Sequence, residues 1–160
     1  MSKIIVSHPE KCTGCRYCEI ICSFHHEGVV NLRKTRINVI KSGYETSFPV
    51  TCTHGYGCAL ECVDACPEEA IEEKEGVVRI DEDLCIGCGA CVDVCPFGAI
   101  KLFNDKAWKC DLCGGDPRCV KFCSQGAVTF EEGNNADKNV MNETKETVEE
   151  WRKDYDLLQI

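Results

Sequence analysis

Sixteen of the 160 residues are cysteine, and their grouping limits this chain more than any helix or strand pattern does. Group one is Cys12, Cys15, Cys18 and Cys22, and group three is Cys85, Cys88, Cys91 and Cys95; both run C-x2-C-x2-C-x3-C. Group two (Cys52, Cys58, Cys62, Cys66) and group four (Cys110, Cys113, Cys119, Cys123) are looser but share the closing C-x3-C. A chain so rich in cysteine is a disulfide scaffold or a set of metal ligands. The opening MSKIIVSHPEKCTGC shows no long apolar run and no Arg-Arg pair, so no export signal is visible. No stretch approaches the ~20 apolar residues of a membrane span. The expected compartment is the cytoplasm, where thiols stay reduced and clustered cysteines more often bind metal.

The spacing then selects the metal. Structural zinc uses two separated C-x2-C pairs, which triplets with a trailing fourth cysteine do not match. Crowded triplets would also pair badly as disulfides. The run C-x2-C-x2-C-x3-C-P is the ligand pattern of bacterial 4Fe–4S clusters, in which the fourth cysteine serves the other cluster of a pair. Three ligands must wrap one side of a compact cubane, so they need a tight loop, and Gly14 and Gly87 permit one. Pro67 and Pro96, just after Cys66 and Cys95, stop the next segment from continuing as a helix. Ser23 stands in the equivalent place after Cys22.

Group two is the irregular one. Its first and third cysteines lie ten positions apart, against nine in group four and six in the regular groups. Gly55 occupies the place where C-x2-C would put the middle ligand, and Cys58 supplies a thiol from the Gly-rich loop HGYG. The ligand count stays at four, so this is a working site with a relocated ligand. His54 is the alternative ligand, although no cysteine is missing. His8, His25 and His26 have no ligand spacing to the triplets and read as ordinary loop or helix residues.

The segments downstream of the cysteines also repeat: CPEEAIEE from Cys66, CPFGAIKL from Cys95 and CSQGAVTF from Cys123. Each reads as a helix end, a turn and a short strand. The first copy, CSFHHEGVVN, lacks the alanine but reaches an apolar pair, Val29–Val30. Residues 73–83 read as a tight strand pair and 32–50 as a hairpin built on Ile37, Val39 and Ile40. Arg33, Lys34 and Arg36 make a basic spot there, either a solvated strand end or a docking patch for an acidic partner. After Phe130 comes a polar stretch, then an acidic amphipathic helix with Val148, Trp151, Tyr155 and Leu158 at helical spacing. That stripe needs cover, from another subunit, from a second copy of this chain, or from the chain's own body; docking elsewhere is the expectation.

The formal charge is −9, which argues against a nucleic-acid partner. With each oxidised four-thiolate cluster carrying −2, four of them take it to about −17. No metalloprotease, nucleophile-elbow, P-loop or dinucleotide motif is present, so the expected role is one-electron transfer rather than catalysis. A domain of this size is roughly 40 Å across, which holds four clusters roughly 10 Å apart.

CTGCRYCEIICSFHHEG together with KCDLCGGDPRCVKFC resembles the iron–sulfur subunits of anaerobic molybdenum and tungsten oxidoreductases, over about residues 3–130. The likeness is greatest to the small subunits of tungsten-dependent aldehyde oxidoreductases and tungsten benzoyl-CoA reductases. It implies an α+β fold of tandem bacterial-ferredoxin-like halves, the second inserted in the first, plus a C-terminal helical tail. The outer half would come from 1–31 and 101–130, the inner half from 50–100, with a hairpin insertion at 32–49 and a linker and helix at 131–160. It also implies ligation across the chain. Cys12, Cys15 and Cys18 would share a cluster with Cys123, and Cys110, Cys113 and Cys119 one with Cys22. Cys52, Cys58 and Cys62 would take Cys95, and Cys85, Cys88 and Cys91 would take Cys66. The implied partners are a large tungsten or molybdenum pterin subunit and a flavin or NAD subunit or ferredoxin, with self-association open. A free polyferredoxin shuttle, or a hydrogenase- or formate-dehydrogenase-type subunit, is the alternative.

Overall fold

The computed structural model describes residues 2–42 and 46–155. Among them the strands form four separate two-stranded antiparallel ribbons. The first strand, β1 (Lys3–Ser7), pairs with the last, β8 (Val128–Glu132), in the register Ile5↔Phe130, so the two ends of the cysteine-bearing region lie side by side. Between them lie three hairpins: β2 (Asn38–Ser42) with β3 (Thr46–Val50), β4 (Ile71–Lys74) with β5 (Val77–Ile80), and β6 (Ile100–Phe103) with β7 (Lys106–Lys109).

The turns are legible in their residues. Glu75–Gly76 and Asn104–Asp105 each supply two consecutive positive φ angles, the turn geometry whose twist matches that of the paired strands. The strand pair expected within 73–83 therefore forms, starting two residues earlier. The hairpin expected at 32–50 also forms, but residues 32–34 make a 3-10 turn and the strands begin at Asn38. Asn31 caps that turn through its side chain, which accepts the Arg33 N–H.

Besides short 3-10 turns, the described residues form five α-helices: α1 (Tyr17–Glu27), α2 (Glu61–Asp64), α3 (Ala90–Val94), α4 (Arg118–Lys121) and α5 (Lys138–Tyr155). Helix α1 packs on α4, and α2 on α3. Helix α1 outruns its counterparts, running through Cys22 and Ser23 to Glu27, whereas α4 stops at Lys121 although a serine also follows Cys123. The Ser23 hydroxyl is buried and bonded to the Val29 carbonyl and the Asn31 N–H, and Gly28 at φ +68 ends the helix. The apolar pair Val29–Val30 consequently makes no strand; it is 51% and 60% exposed.

Two apolar groups form the core. One gathers Phe48, Val50, Ile71, Val78, Phe97 and Ile100; the other gathers Ile5, Ile37, Leu112 and Val128 with Cys22, Cys110 and Cys119. Cys52 touches both. Helix α5 belongs to the first. Val148 is 1% exposed and lies over Gly98, where a β-carbon would come within 3.0 Å of its Cγ1. Trp151 Nε1 donates to the Lys41 carbonyl, and Arg152 Nη2 to the carbonyls of Val92 and Cys95 at 2.7 Å. The expectation that this stripe docks on another surface is thus corrected for Val148 and Trp151. They cover the chain's own body, because Gly98 leaves room for Val148 and the α3 carbonyls offer acceptors to Arg152. Leu158 and the side chain of Tyr155 lie outside the described residues.

Val148→Ala should cost about 1–3 kcal/mol of stability, read as a lower thermal midpoint. Removing residues 138–160 should lower the midpoint further and reduce the iron retained after anoxic purification. Unchanged melting and iron would contradict this packing.

Candidate metal centres

In all four groups the third cysteine is the second residue of a helix: Cys18 in α1, Cys62 in α2, Cys91 in α3 and Cys119 in α4. Arg16, Leu60 and Gly89, each two positions earlier, adopt the left-handed conformation and turn the ligand loop onto the helix. Gly87 shows why that loop needs glycine. At φ +70 a β-carbon would stand 2.3 Å from the Asp105 carbonyl oxygen. The longer loops of groups two and four close by runs of left-handed residues, His54 and Gly55 in one and Leu112 to Gly115 in the other.

Cysteines distant in sequence converge. Cys12, Cys15 and Cys18 line a cavity of about 340 Å³ with Cys123. Cys85, Cys88 and Cys91 line another with Cys66. Cys52, Cys58 and Cys62 line a third with Cys95. Cys22 lies with Cys110 and Cys119 in one buried group, and Cys113 is close enough to act on the charge of Cys22 and Cys119. None of the sixteen is joined to another as a disulfide.

The thiols of Cys18, Cys22, Cys62, Cys91, Cys110 and Cys119 resist ionisation. Burial, then Glu19, pushes Cys18 up to about 12; burial, then Cys52 and Cys95, does the same to Cys62. Burial raises Cys22 and Cys91 to about 11 and drives Cys110 and Cys119 higher still. Iron binding requires thiolate, so loading such a site expels protons and makes metal affinity part of folding.

Backbone N–H groups are already aimed at the sulfurs. Ala99 N–H donates to Cys95 Sγ at 3.4 Å and Ala127 N–H to Cys123 Sγ at 3.3 Å. These are the alanines of the repeated C-x3-A, and the small residue lets the turn fold back on its own cysteine. Group one has His26 in that slot, still inside α1, and Cys22 Sγ instead accepts the Arg36 N–H at 3.2 Å. Ala107 N–H reaches Cys85 Sγ, and His54 N–H reaches Cys52 Sγ, both at 3.4 Å. Four converging sulfurs per site, with amide donors directed at them, fit a 4Fe–4S cluster.

The sequence reading missed three residues. His26 is no ordinary helix residue: its Nε2 lies 3.7 Å from Cys113 Sγ and 3.6 Å from Asp111 Oδ1. Its only sequence signal is its position four residues after Cys22. Asp111 caps the group-four loop by accepting the Cys113 N–H, and pairs with Arg36 at 3.0 Å. Lys109 is buried at 4% exposure. The basic spot is also largely committed, with Lys34 on Glu27 and Arg36 on Asp111 and stacked over Trp108.

His54 does not join the ligands. Its Nδ1 accepts the Val78 N–H at 3.0 Å, and burial, with the Lys109 charge second, lowers its pKa to about 3, so it is a neutral core imidazole. His54→Asn should therefore keep the full iron content, whereas Cys58→Ser should lose about four irons per chain. Equal losses in the two variants would contradict this assignment.

Residues 9–25 and 78–101 each match the family description of a 4Fe–4S binding domain. The chain is 41% identical over 126 residues to the polyferredoxin-like subunit of an aliphatic sulfonate oxidoreductase from Pyrococcus furiosus, covering 76% of this chain and 71% of that protein. It is 41% identical over 140 residues to an uncharacterized ferredoxin of Methanocaldococcus jannaschii, covering 84% and 75%. A looser likeness, with a TM-score of 0.47 at 23% identity, links it to a chain of the active site complex BamBC of benzoyl coenzyme A reductase, over 96% of this chain and 90% of that one. With the cysteine spacing, the converging sulfurs and these relatives together, this chain belongs to the ferredoxin-like family of 4Fe–4S electron-transfer subunits.

Proposed function

We propose that the chain holds four 4Fe–4S clusters, each on three cysteines of one group and the last cysteine of another, and relays single electrons between a tungsten or molybdenum catalytic subunit and a redox carrier. The pairing is Cys12, Cys15 and Cys18 with Cys123; Cys110, Cys113 and Cys119 with Cys22; Cys52, Cys58 and Cys62 with Cys95; and Cys85, Cys88 and Cys91 with Cys66. The observation that carries it is that three of those sets each line one cavity, while Cys22, Cys110 and Cys119 share one buried group with Cys113 close by. The chain then reads as two ferredoxin-like halves, the one built from groups two and three inserted in the one built from groups one and four. The contacts of α1 with α4, of α2 with α3, and of β1 with β8 support that reading. A bound cluster of this type accepts and returns one electron at a time.

The four sites form a row. Cys18 acts on the charge of Cys119, linking the first set to the second, and Cys52 acts on Cys110, linking the second to the third. The third and fourth sets meet where α2 packs on α3. Cys15 at one end and Cys88 at the other are exposed, while Cys22, Cys110 and Cys119 between them are buried. Each end has an apolar rim. Tyr17 and Phe122, in edge-to-face contact and 46% and 45% exposed, lie beside the Cys15 cavity. Leu84 and Ile86, 52% and 60% exposed, flank Cys85 in the group that holds Cys88. Exposed apolar residues around a redox site suit docking of a protein partner at each end.

The polyferredoxin-like relative is named as a subunit of an oxidoreductase, which favours a fixed partner over a free shuttle. No described helix is long and apolar enough to cross a membrane.

Anoxic analysis should find about sixteen irons and about sixteen labile sulfides per chain. Twelve irons in fully loaded protein would remove one site, with Cys58 the first suspect. Cys22→Ser and Cys110→Ser should perturb the same cluster spectroscopically, and Cys22→Ser and Cys12→Ser different ones; the reverse pattern would overturn the pairing. Native anoxic purification should bring down a larger subunit containing tungsten or molybdenum. Recovery of the chain alone, fully loaded and freely reducible, would favour the shuttle.

A further inference from the structure

Lys109, the last residue of β7, meets no carboxylate partner among the described residues. It is 4% exposed, and its Nζ donates to the backbone carbonyl of Val78 and, at 3.1 Å, to that of Cys110. The acids that share a cavity wall with it, Glu82 and Asp111, both pair with Arg36. Its other neighbour, His54, offers no carboxylate, and its Nδ1 accepts the Val78 N–H. A buried ammonium held by carbonyls alone is strongly disfavoured unless negative charge stands close by.

Here that negative charge is cysteine. Two cysteines are tied to Lys109 by geometry: Cys110, whose own carbonyl accepts from Nζ, and Cys62, which lines one cavity with the other acceptor residue, Val78. Those two residues belong to the two inner sets of the row, which Cys52 joins. Each outer set includes an exposed cysteine, where water moderates charge, whereas no cysteine of the inner sets is exposed.

We infer that Lys109 is the shared counter-charge of the two inner sites, and that it holds an added electron there in preference to the outer sites. The inference rests on the four-site reading proposed above. Each inner site gains a unit of negative charge on reduction, and a fixed cation beside it favours that state. Lys109 acts as a positioning residue for charge; it ligates nothing.

The test is a reductive titration of the holoprotein with low-temperature EPR as the readout and iron counted on the same samples. Cys62→Ser and Cys110→Ser identify the signals of the inner pair. Wild type must first show about sixteen irons, since a lower count defeats the four-site reading independently of Lys109. Lys109→Met should then retain its iron but lower both inner potentials relative to the outer pair. The electron should shift outward at least about tenfold, which is about 59 mV for one electron. Lys109→Arg, which keeps the charge, should stay near wild type. Unchanged potentials, an equal shift at all four sites, or an arginine variant that behaves like methionine would each overturn the inference. If Lys109→Met does not hold its iron, Lys109→Gln is titrated in its place. Loss confined to the inner pair in both neutral variants, with retention in Lys109→Arg, supports the inference. Loss across all four sites, or in Lys109→Arg as well, overturns it.

Discussion

Thiolates repel one another, and this chain brings cysteine sulfurs from distant segments together, several of them buried in an interior that resists charge. Burial is the main cause that lifts the thiols of Cys18 and Cys62 to about 12. A stable arrangement therefore needs positive charge and hydrogen-bond donors at each set. Bound iron supplies most of it. The polypeptide supplies the rest: amide N–H groups of Arg36, Ala99, Ala107 and Ala127 on four sulfurs, His26 beside Cys113, and Lys109 on the carbonyl of Cys110. Much of the backbone geometry derives from that need. The left-handed residues before the helices present the third sulfur of three groups, and the small alanines let the chain double back on the fourth of two.

The same constraint shapes the packing. Cysteine replaces aliphatic side chains through much of the core, so the apolar residues separate into two groups with Cys52 between them. Neither group is large, and a domain with little apolar core is expected to draw stability from its metal. Helix α5 adds apolar cover to the first group, and Arg152 ties it to the carbonyl of Cys95 itself. The terminal helix is in this way linked to a cysteine-bearing segment, not only to the surface beside it.

Much of the site is legible in the residues alone. The C-x2-C-x2-C-x3-C spacing encodes loop size directly, so groups one and three declare themselves, and the ligand count of group two points to Cys58 rather than His54. Glu75–Gly76 announces its hairpin because few residue pairs accept two positive φ angles. The repeated C-x3-A is visible as a pattern, but its cause, an N–H returned to the sulfur, is not. Other features depend on contacts between remote segments. The stripe of α5 says that one face needs cover, and only the absence of a side chain at Gly98 says where. Val29 and Val30 look like a strand in isolation; the Ser23 hydroxyl, bonded across eight residues to Asn31, extends the helix and leaves them exposed. Lys109 reads as an ordinary strand-end lysine until Glu82 and Asp111 are seen to be taken by Arg36.

The proposed two-half architecture and row of sites both rest on one claim, that each site is closed by a cysteine from a distant group. Anomalous scattering at the iron edge, from crystals grown anoxically, is its decisive test. Four compact iron sites are expected, each bonded to three sulfurs of one group and one of another, with Cys123, Cys22, Cys95 and Cys66 as the crossing ligands. A site bonded to Cys12, Cys15, Cys18 and Cys22 together would contradict it.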